Sequence, residues 1–153
     1  MKLGDVLKKE REKKGVSVED AAARLQLSAE GYGKLEAGES DAETWGPLLA
    51  QIAISLETPT SRLLSESGRS DGIEEGRCGS LVAKHRERRG LSAAELAEKL
   101  GLSVEEVGTI EKGESPLETV GPQMLRFAEL IDQPVFNLFY PCGLPFQELD
   151  DYP

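Results

Sequence analysis

Apolar positions recur at helical spacing through most of the chain, in short runs divided by serine, glycine and proline. Leu3, Val6 and Leu7 form one stripe in an otherwise charged segment. That spacing predicts a helix over Leu3–Lys14, stopped by Gly15. Ser17, with Asp20 three residues on, reads as the cap of a second helix running to about Leu25. Ser28 caps a third, from Ala29 to about Ala37, and Gly38 ends it. Pro47 suits the first turn of a fourth helix carrying Leu48, Leu49, Ile52, Ala53 and Leu56. Pro59 breaks that helix, and Thr60–Leu64 reads as a short fifth.

The series then starts again 75 residues later. Gly-Val-Ser at 15–17 returns as Gly-Leu-Ser at 90–92, and Lys-Leu-Glu-Ala-Gly at 34–38 returns as Thr-Ile-Glu-Lys-Gly at 109–113. The match runs without a gap from Leu7–Leu64 to Val82–Phe139. A fixed internal period sets the architecture. In the second copy, Ser80–Arg89 is the first helix, Ser92 with Glu95 and Ser103 with Glu106 cap the next two, Pro122 opens the fourth, and Pro134 precedes the fifth. The expectation is an all-α protein of two tandem five-helix units. They span 1–66 and 80–140, joined by a Gly- and charge-rich linker at 67–79 and followed by an aromatic tail at 141–153. Each unit is small enough to be marginal alone, so packing of one on the other is expected.

At the C-terminal end the apolar residues crowd together: Val135, Phe136, Leu138, Phe139, Tyr140, Leu144, Phe146, Leu149 and Tyr152. Disordered tails are poor in aromatics. Pro141 and Pro145 forbid a regular helix, so an extended segment is expected, packed between the copies or on a second chain.

Charge narrows the function. Lys and Arg total 18 against 28 Asp and Glu, a net charge of −10. No part of the chain is basic overall, which argues against a strong electrostatic hold on nucleic acid. Lys8, Lys9, Arg11, Lys13 and Lys14, and their copy Lys84, Arg86, Arg88 and Arg89, are interleaved with Glu10, Glu12 and Glu87. They read as solvated faces with pairs such as Glu10–Lys14. His85 is the chain's one histidine and stands where the first copy has Glu10; it reads as an exposed surface residue. Cys78 and Cys142 have no metal-ligand spacing, so neither a metal nor another cofactor is expected. Without a nucleophile–base arrangement an enzyme is not expected. No run is long and apolar enough for a leader or a membrane span, so a cytoplasmic protein with reduced thiols is the expectation.

The second copy reads Arg-Glu-Arg-Arg-Gly-Leu-Ser-Ala-Ala-Glu-Leu-Ala-Glu-Lys-Leu-Gly-Leu-Ser, followed by Ile-Glu-Lys-Gly. This resembles the Cro/C1-type (XRE) helix-turn-helix domain of bacterial and phage repressors, and both copies carry the pattern. The resemblance implies that the third helix of each copy is the recognition helix, its first residues facing base edges in the major groove. Carried over by position, the candidate DNA contacts are Ser17, Ser28, Ala29, Glu30 and Lys34 in the first copy. In the second they are Ser92, Ser103, Glu105, Thr109 and Lys112. The serines are helix caps first. Base readout normally uses Arg, Lys, Asn or Gln, and glutamates at these positions predict weak or modified binding. Val18 and Ala93 stand where the family commonly has Gln, and Glu39 and Glu114 where it often has a basic residue. The resemblance also implies two ion pairs that hold the fold, Arg11–Glu36 and Arg86–Glu111.

The leading expectation is therefore a transcriptional-regulator-like protein that binds DNA, if weakly, as an internal pseudo-dimer or a dimer of chains. The alternative is an acidic interaction module that kept the fold and lost base readout, binding a protein partner. A small-ligand or redox sensor is the third reading.

Overall fold

The structure is a computed structural model and describes residues 1–143. Among them are eight α-helices and four 3-10 turns, with no strand. The first copy contains α1 (Leu3–Lys14), α2 (Val18–Arg24), α3 (Ala29–Ala37) and α4 (Ala42–Leu56), then a 3-10 turn at Thr60–Leu63. The second contains α5 (Cys78–Arg88), α6 (Ala93–Leu100), α7 (Val104–Glu111) and α8 (Leu117–Leu130), then a 3-10 turn at Val135–Leu138. The fold is two tandem helix-turn-helix units.

Three helix starts differ from expectation. α4 and α8 begin well before Pro47 and Pro122, which lie inside them. The starts are set by serines instead: the Ser40 hydroxyl accepts from the Ala42 N–H at 3.2 Å, and the Ser115 hydroxyl from the Leu117 N–H at 3.2 Å. Each proline is the sixth residue of its helix, past the four donors that a helix start leaves unpaired, and so forgoes one intrahelical bond, to the carbonyl of Glu43 or Glu118. α5 begins at Cys78 rather than Ser80. The Glu118 carboxylate accepts from the Cys78 and Gly79 N–H groups at 3.2 and 2.8 Å. Glu43 does the same for Leu3 and Gly4, at 3.2 and 2.8 Å. Each carboxylate satisfies donors that a helix start leaves unpaired, where the helix dipole also favours negative charge.

Gly4 and Gly79 let these helix starts sit directly on the ends of α3 and α7. A Cβ on Gly4 would lie 2.5 Å from the Leu35 and Glu36 carbonyl oxygens, and one on Gly79 would lie 2.1 Å from the Ile110 oxygen.

The copies interlock. α4 lies against α8, α2 against α8, and α6 against α4. The turn at Thr60–Leu63 packs on α5, and the turn at Val135–Leu138 reaches back to α1. Leu64 of the first copy fills the space over Gly121 of the second, and Phe139 of the second fills the space over Gly46 of the first. Those positions correspond under the 75-residue repeat, so the exchange is reciprocal. One continuous apolar core results, running from Leu3 to Phe139. Trp45 packs against it from the edge.

The segment between the copies is tied down. Ser70–Gly72 forms a 3-10 turn, and Glu129 of α8 accepts from the Ser70 N–H at 2.9 Å and from its hydroxyl. Arg77 pairs with Glu66 at 2.8 Å. Of the C-terminal aromatic cluster, Val135, Phe136, Leu138 and Phe139 are buried and Tyr140 is exposed. Leu144, Phe146, Leu149 and Tyr152 lie outside the described residues.

Candidate nucleic-acid interface

The helix-turn-helix of each copy is built from its caps. The Ser17 and Ser28 hydroxyls accept from the Asp20 and Gly31 N–H groups at 3.1 and 3.0 Å. Ser92 and Ser103 accept from Glu95 and Glu106 at 3.1 Å each. In the second copy the exchange runs both ways. The Glu95 and Glu106 carboxylates accept from the Ser92 and Ser103 N–H groups at 3.0 Å each, a reciprocal box that satisfies two orphan donors. The hydrogen bond from the Ser92 backbone, more than that from its hydroxyl, holds the Glu95 carboxyl below its ordinary pKa. Glu106, one of the carboxylates at the start of the recognition helix, is likewise turned back onto its own helix end.

Behind the caps, the ion pairs join the first helix to the third. The Arg11 Nε and Nη2 donate to Glu36 at 2.6 and 3.1 Å, and Nη1 donates to the Val16 carbonyl at 3.0 Å. Arg86 meets Glu111 at 2.7 and 3.0 Å and the Leu91 carbonyl at 2.9 Å. The two guanidinium groups are thus spent inside the fold. The side chains of both pairs are only 11–15% exposed. Burial pushes the Glu36 carboxyl up, but the Arg11 hydrogen bonds, with help from Tyr32 and Lys8, bring it net below its ordinary value. Tyr32 is buried beside this pair, and its hydroxyl makes no geometrically sound hydrogen bond. Burial, then Glu36, pushes its ionisation far up, so it stays neutral.

The remaining candidate contacts lie on the outside. Ala29, Glu30 and Lys34 are exposed on α3, as are Glu105, Thr109 and Lys112 in or just after α7. Thr109 donates its hydroxyl to the Glu105 carbonyl at 3.0 Å, so its donor is occupied within the helix. Glu39 and Glu114, after each recognition helix, are exposed too. Lys34 and Gly31 share a groove with Thr119 and Gln123 of α8, so the second copy borders the first copy's recognition helix. The candidate base-facing positions on α3 and α7 carry Glu30 and Glu105 and no Arg, Asn or Gln.

Of the basic residues read as solvated faces, Arg11 and Arg86 are in the fold's interior pairs. Lys14 pairs at 2.7 Å with Asp132 of the second copy, not with Glu10. His85 is half-buried against the first copy, not an open surface residue. The Glu43 and Glu118 caps escape sequence reading, because their partners are some forty residues away. Their signal is the equivalent glutamate in the first turn of both fourth helices. Cys78 is buried and Cys142 partly so, and they are not bonded to each other. Among the described residues no cluster of His, Cys, Asp or Glu suits a metal ion, and no helix is long and apolar enough to cross a membrane.

The chain belongs to the helix-turn-helix domain family, whose profile matches residues 2–51 and 77–134. No curated protein and no solved structure matches it. Two matched regions correspond to the two copies and make the chain a tandem, XRE-like helix-turn-helix protein.

Proposed function

We propose that this chain is a cytoplasmic helix-turn-helix regulator that acts as an internal pseudo-dimer and holds DNA weakly, with little sequence preference. The observation that carries the reading is the chemistry of the exposed recognition positions. Glu30 and Glu105 stand where base readout needs donors, and among the candidate contact positions each copy has a single lysine, Lys34 or Lys112. Four capped helix N-termini still present N–H groups suited to phosphate. Backbone contact without base contact positions a protein on DNA but does not specify a site. The reciprocal packing of the copies supports one chain supplying both units.

Titration of pooled labelled duplexes with the full chain tests this at low and at physiological salt. Expected is binding at low salt that falls steeply as salt rises and ranks the sequences poorly. Tight binding at physiological salt with one preferred sequence would overturn it. A second reading, an acidic module for a basic protein partner, is supported by the net charge of −10 and by exposed Glu39 and Glu114. Absence of duplex binding even at low salt favours it over the first.

A further inference from the structure

The internal repeat creates two equivalent grooves, one at each place where the end of a first helix meets the other copy. In one, Glu10, Lys13 and Lys14 of α1 face Asp132 and Gln133 beyond α8. In the other, His85, Arg88 and Arg89 of α5 face Glu57, Thr58, Pro59 and Arg62 beyond α4. Five positions correspond 75 residues apart, Glu10 with His85, Lys13 with Arg88, Lys14 with Arg89, Asp132 with Glu57 and Gln133 with Thr58; Pro59 and Arg62 line the second groove only, their counterparts being Pro134 and Asn137. Their charges differ. The first groove holds two lysines against two carboxylates and is neutral. The second holds three arginines against one glutamate, with a histidine in place of Glu10 and Arg62 in place of Asn137. Cations are expected at any helix C-terminus because of the dipole, and both copies have them. His85 and Arg62 are the additions, and both increase positive charge at one spot of a strongly acidic protein.

We propose that this second groove binds a small phosphate-bearing anion, held by Arg62, Arg88 and Arg89 with His85 as a further donor. It is open, about 440 Å³ in volume, within the range of small-ligand sites. None of its lining residues belongs to α3 or α7, so the site is separate from the recognition helices. Arg89 is already oriented: its Nη2 donates to the Glu57 carbonyl, and its Nη1 lies 3.8 Å from the Glu57 carboxylate. Arg62 is fixed by donation from Nη1 to the Glu66 carbonyl. Arg88 is exposed and makes no ion pair among the described residues. Preset guanidinium groups suit phosphate because their planar donors match its oxygens.

His85 adds pH dependence. Burial, then the charges of Arg88, Lys84 and Arg89, holds the imidazole below its ordinary pKa, while a backbone contact from Arg62 works the other way. Glu57 faces the groove from the end of α4, and Glu66 takes up Lys84 at 3.2 Å. A bound dianion offsets the arginine charges and draws a proton onto the ring. Affinity for the dianion therefore rises as the ring takes up its proton, while the proton that inorganic phosphate itself gains in the same range works against this.

Because His85 is the chain's one histidine, its imidazole NMR signals report on the site without ambiguity. The experiment titrates the full chain with inorganic phosphate and with pyrophosphate, against sodium chloride at matched ionic strength. Expected are saturable His85 shifts with both phosphates, an upward move of its pKa, and none with chloride. The double variant Arg62→Asn/His85→Glu converts the groove to its first-copy counterpart, and Arg88→Ala removes an exposed side chain. Isothermal titration calorimetry reads both variants, since the double variant lacks the reporting histidine, and each should weaken phosphate binding about tenfold or more while the melt stays unchanged. No saturation by about 30 mM phosphate, weaker than millimolar affinity, would overturn the proposal. So would variants that bind as well as the parent. If instead Arg88→Ala weakens duplex DNA and leaves phosphate binding intact, the groove is a nucleic-acid contact and the small-anion reading fails.

Discussion

In the first copy the turn between the second and third helices passes through Gln26 at φ 61°; in the second it passes through Gly101 at φ 70°. The backbone path is the same, but only the second copy has the residue that adopts it without strain. The difference recurs along the unit. Ser92 and Ser103 each complete a two-way capping box, whereas Ser17 and Ser28 make one-way caps. The second copy buries apolar Val107 where the first buries Tyr32 with its hydroxyl beside the Arg11–Glu36 pair. Local chemistry specifies the second copy more fully. The first depends more on packing supplied from elsewhere in the chain. One backbone can thus be reached by two balances of local and long-range terms, a matter of how consistently each level agrees with the fold.

The ion pairs test the shared part of that comparison, and with the largest expected effect. Arg11→Ala and Arg86→Ala each strand a mostly buried glutamate, and each should cost about 3 kcal/mol in urea unfolding. Equal losses show that the copies rest on the same internal brace; a clear inequality breaks the equivalence. The pH arm concerns Glu36. Its folded pKa lies below the ordinary value of 4.5. Its contribution is therefore complete above that value and is lost as pH falls through the folded pKa. Arg11→Ala should flatten this acid limb of the stability curve.

A smaller effect separates the copies at their helix contacts. Gly79→Ala should cost about 2–3 kcal/mol and Gly4→Ala somewhat less, because the new methyl meets backbone oxygen at the closer distance in the second copy. Thermal melts of both variants check the ranking, and the reverse order would show that the first copy yields less. The smallest effect is the most direct probe of the comparison. Gln26→Gly should stabilise by about 1 kcal/mol, and Gly101→Gln should destabilise by about as much. If neither moves the melting temperature, the turn carries no strain and the contrast between the copies lies elsewhere.

Most helix positions were legible because caps and glycines sit at fixed offsets from apolar stripes. Leu3–Lys14 and Ala29–Ala37 follow directly from them. Pro47 misled because proline is favoured at a helix start but tolerated a turn later; Ser40 held the better signal. What sequence spacing cannot say is which copy an apolar residue meets. Leu64 read as the end of a short fifth helix and Phe139 as part of an aromatic cluster packed between the copies or on a second chain; that each lies over a glycine of the other copy is encoded by no local pattern. The candidate interface was legible as a set of positions and as a deficit of donors. That Glu106 is turned back into its own cap was legible from its spacing to Ser103, whereas that His85 sits in a groove lined by the other copy depends on contacts far apart in sequence. The repeat itself supplied the missing comparison, because it aligns Glu10 with His85.

The exchange of Leu64 and Phe139 also sets an order of events during synthesis. Ribosomes release the chain from its N-terminus, and units that depend only on themselves fold as they emerge. Here α4 emerges long before α8, which it lies against, and Gly46, partly covered by Leu3, is sealed only once Phe139 has been made. The first copy must wait, with Leu49, Ile52 and Leu56 lacking the neighbours they have in the finished core. Closure waits for Phe139, so a chain stopped before it releases an unsealed apolar face rather than a smaller working unit.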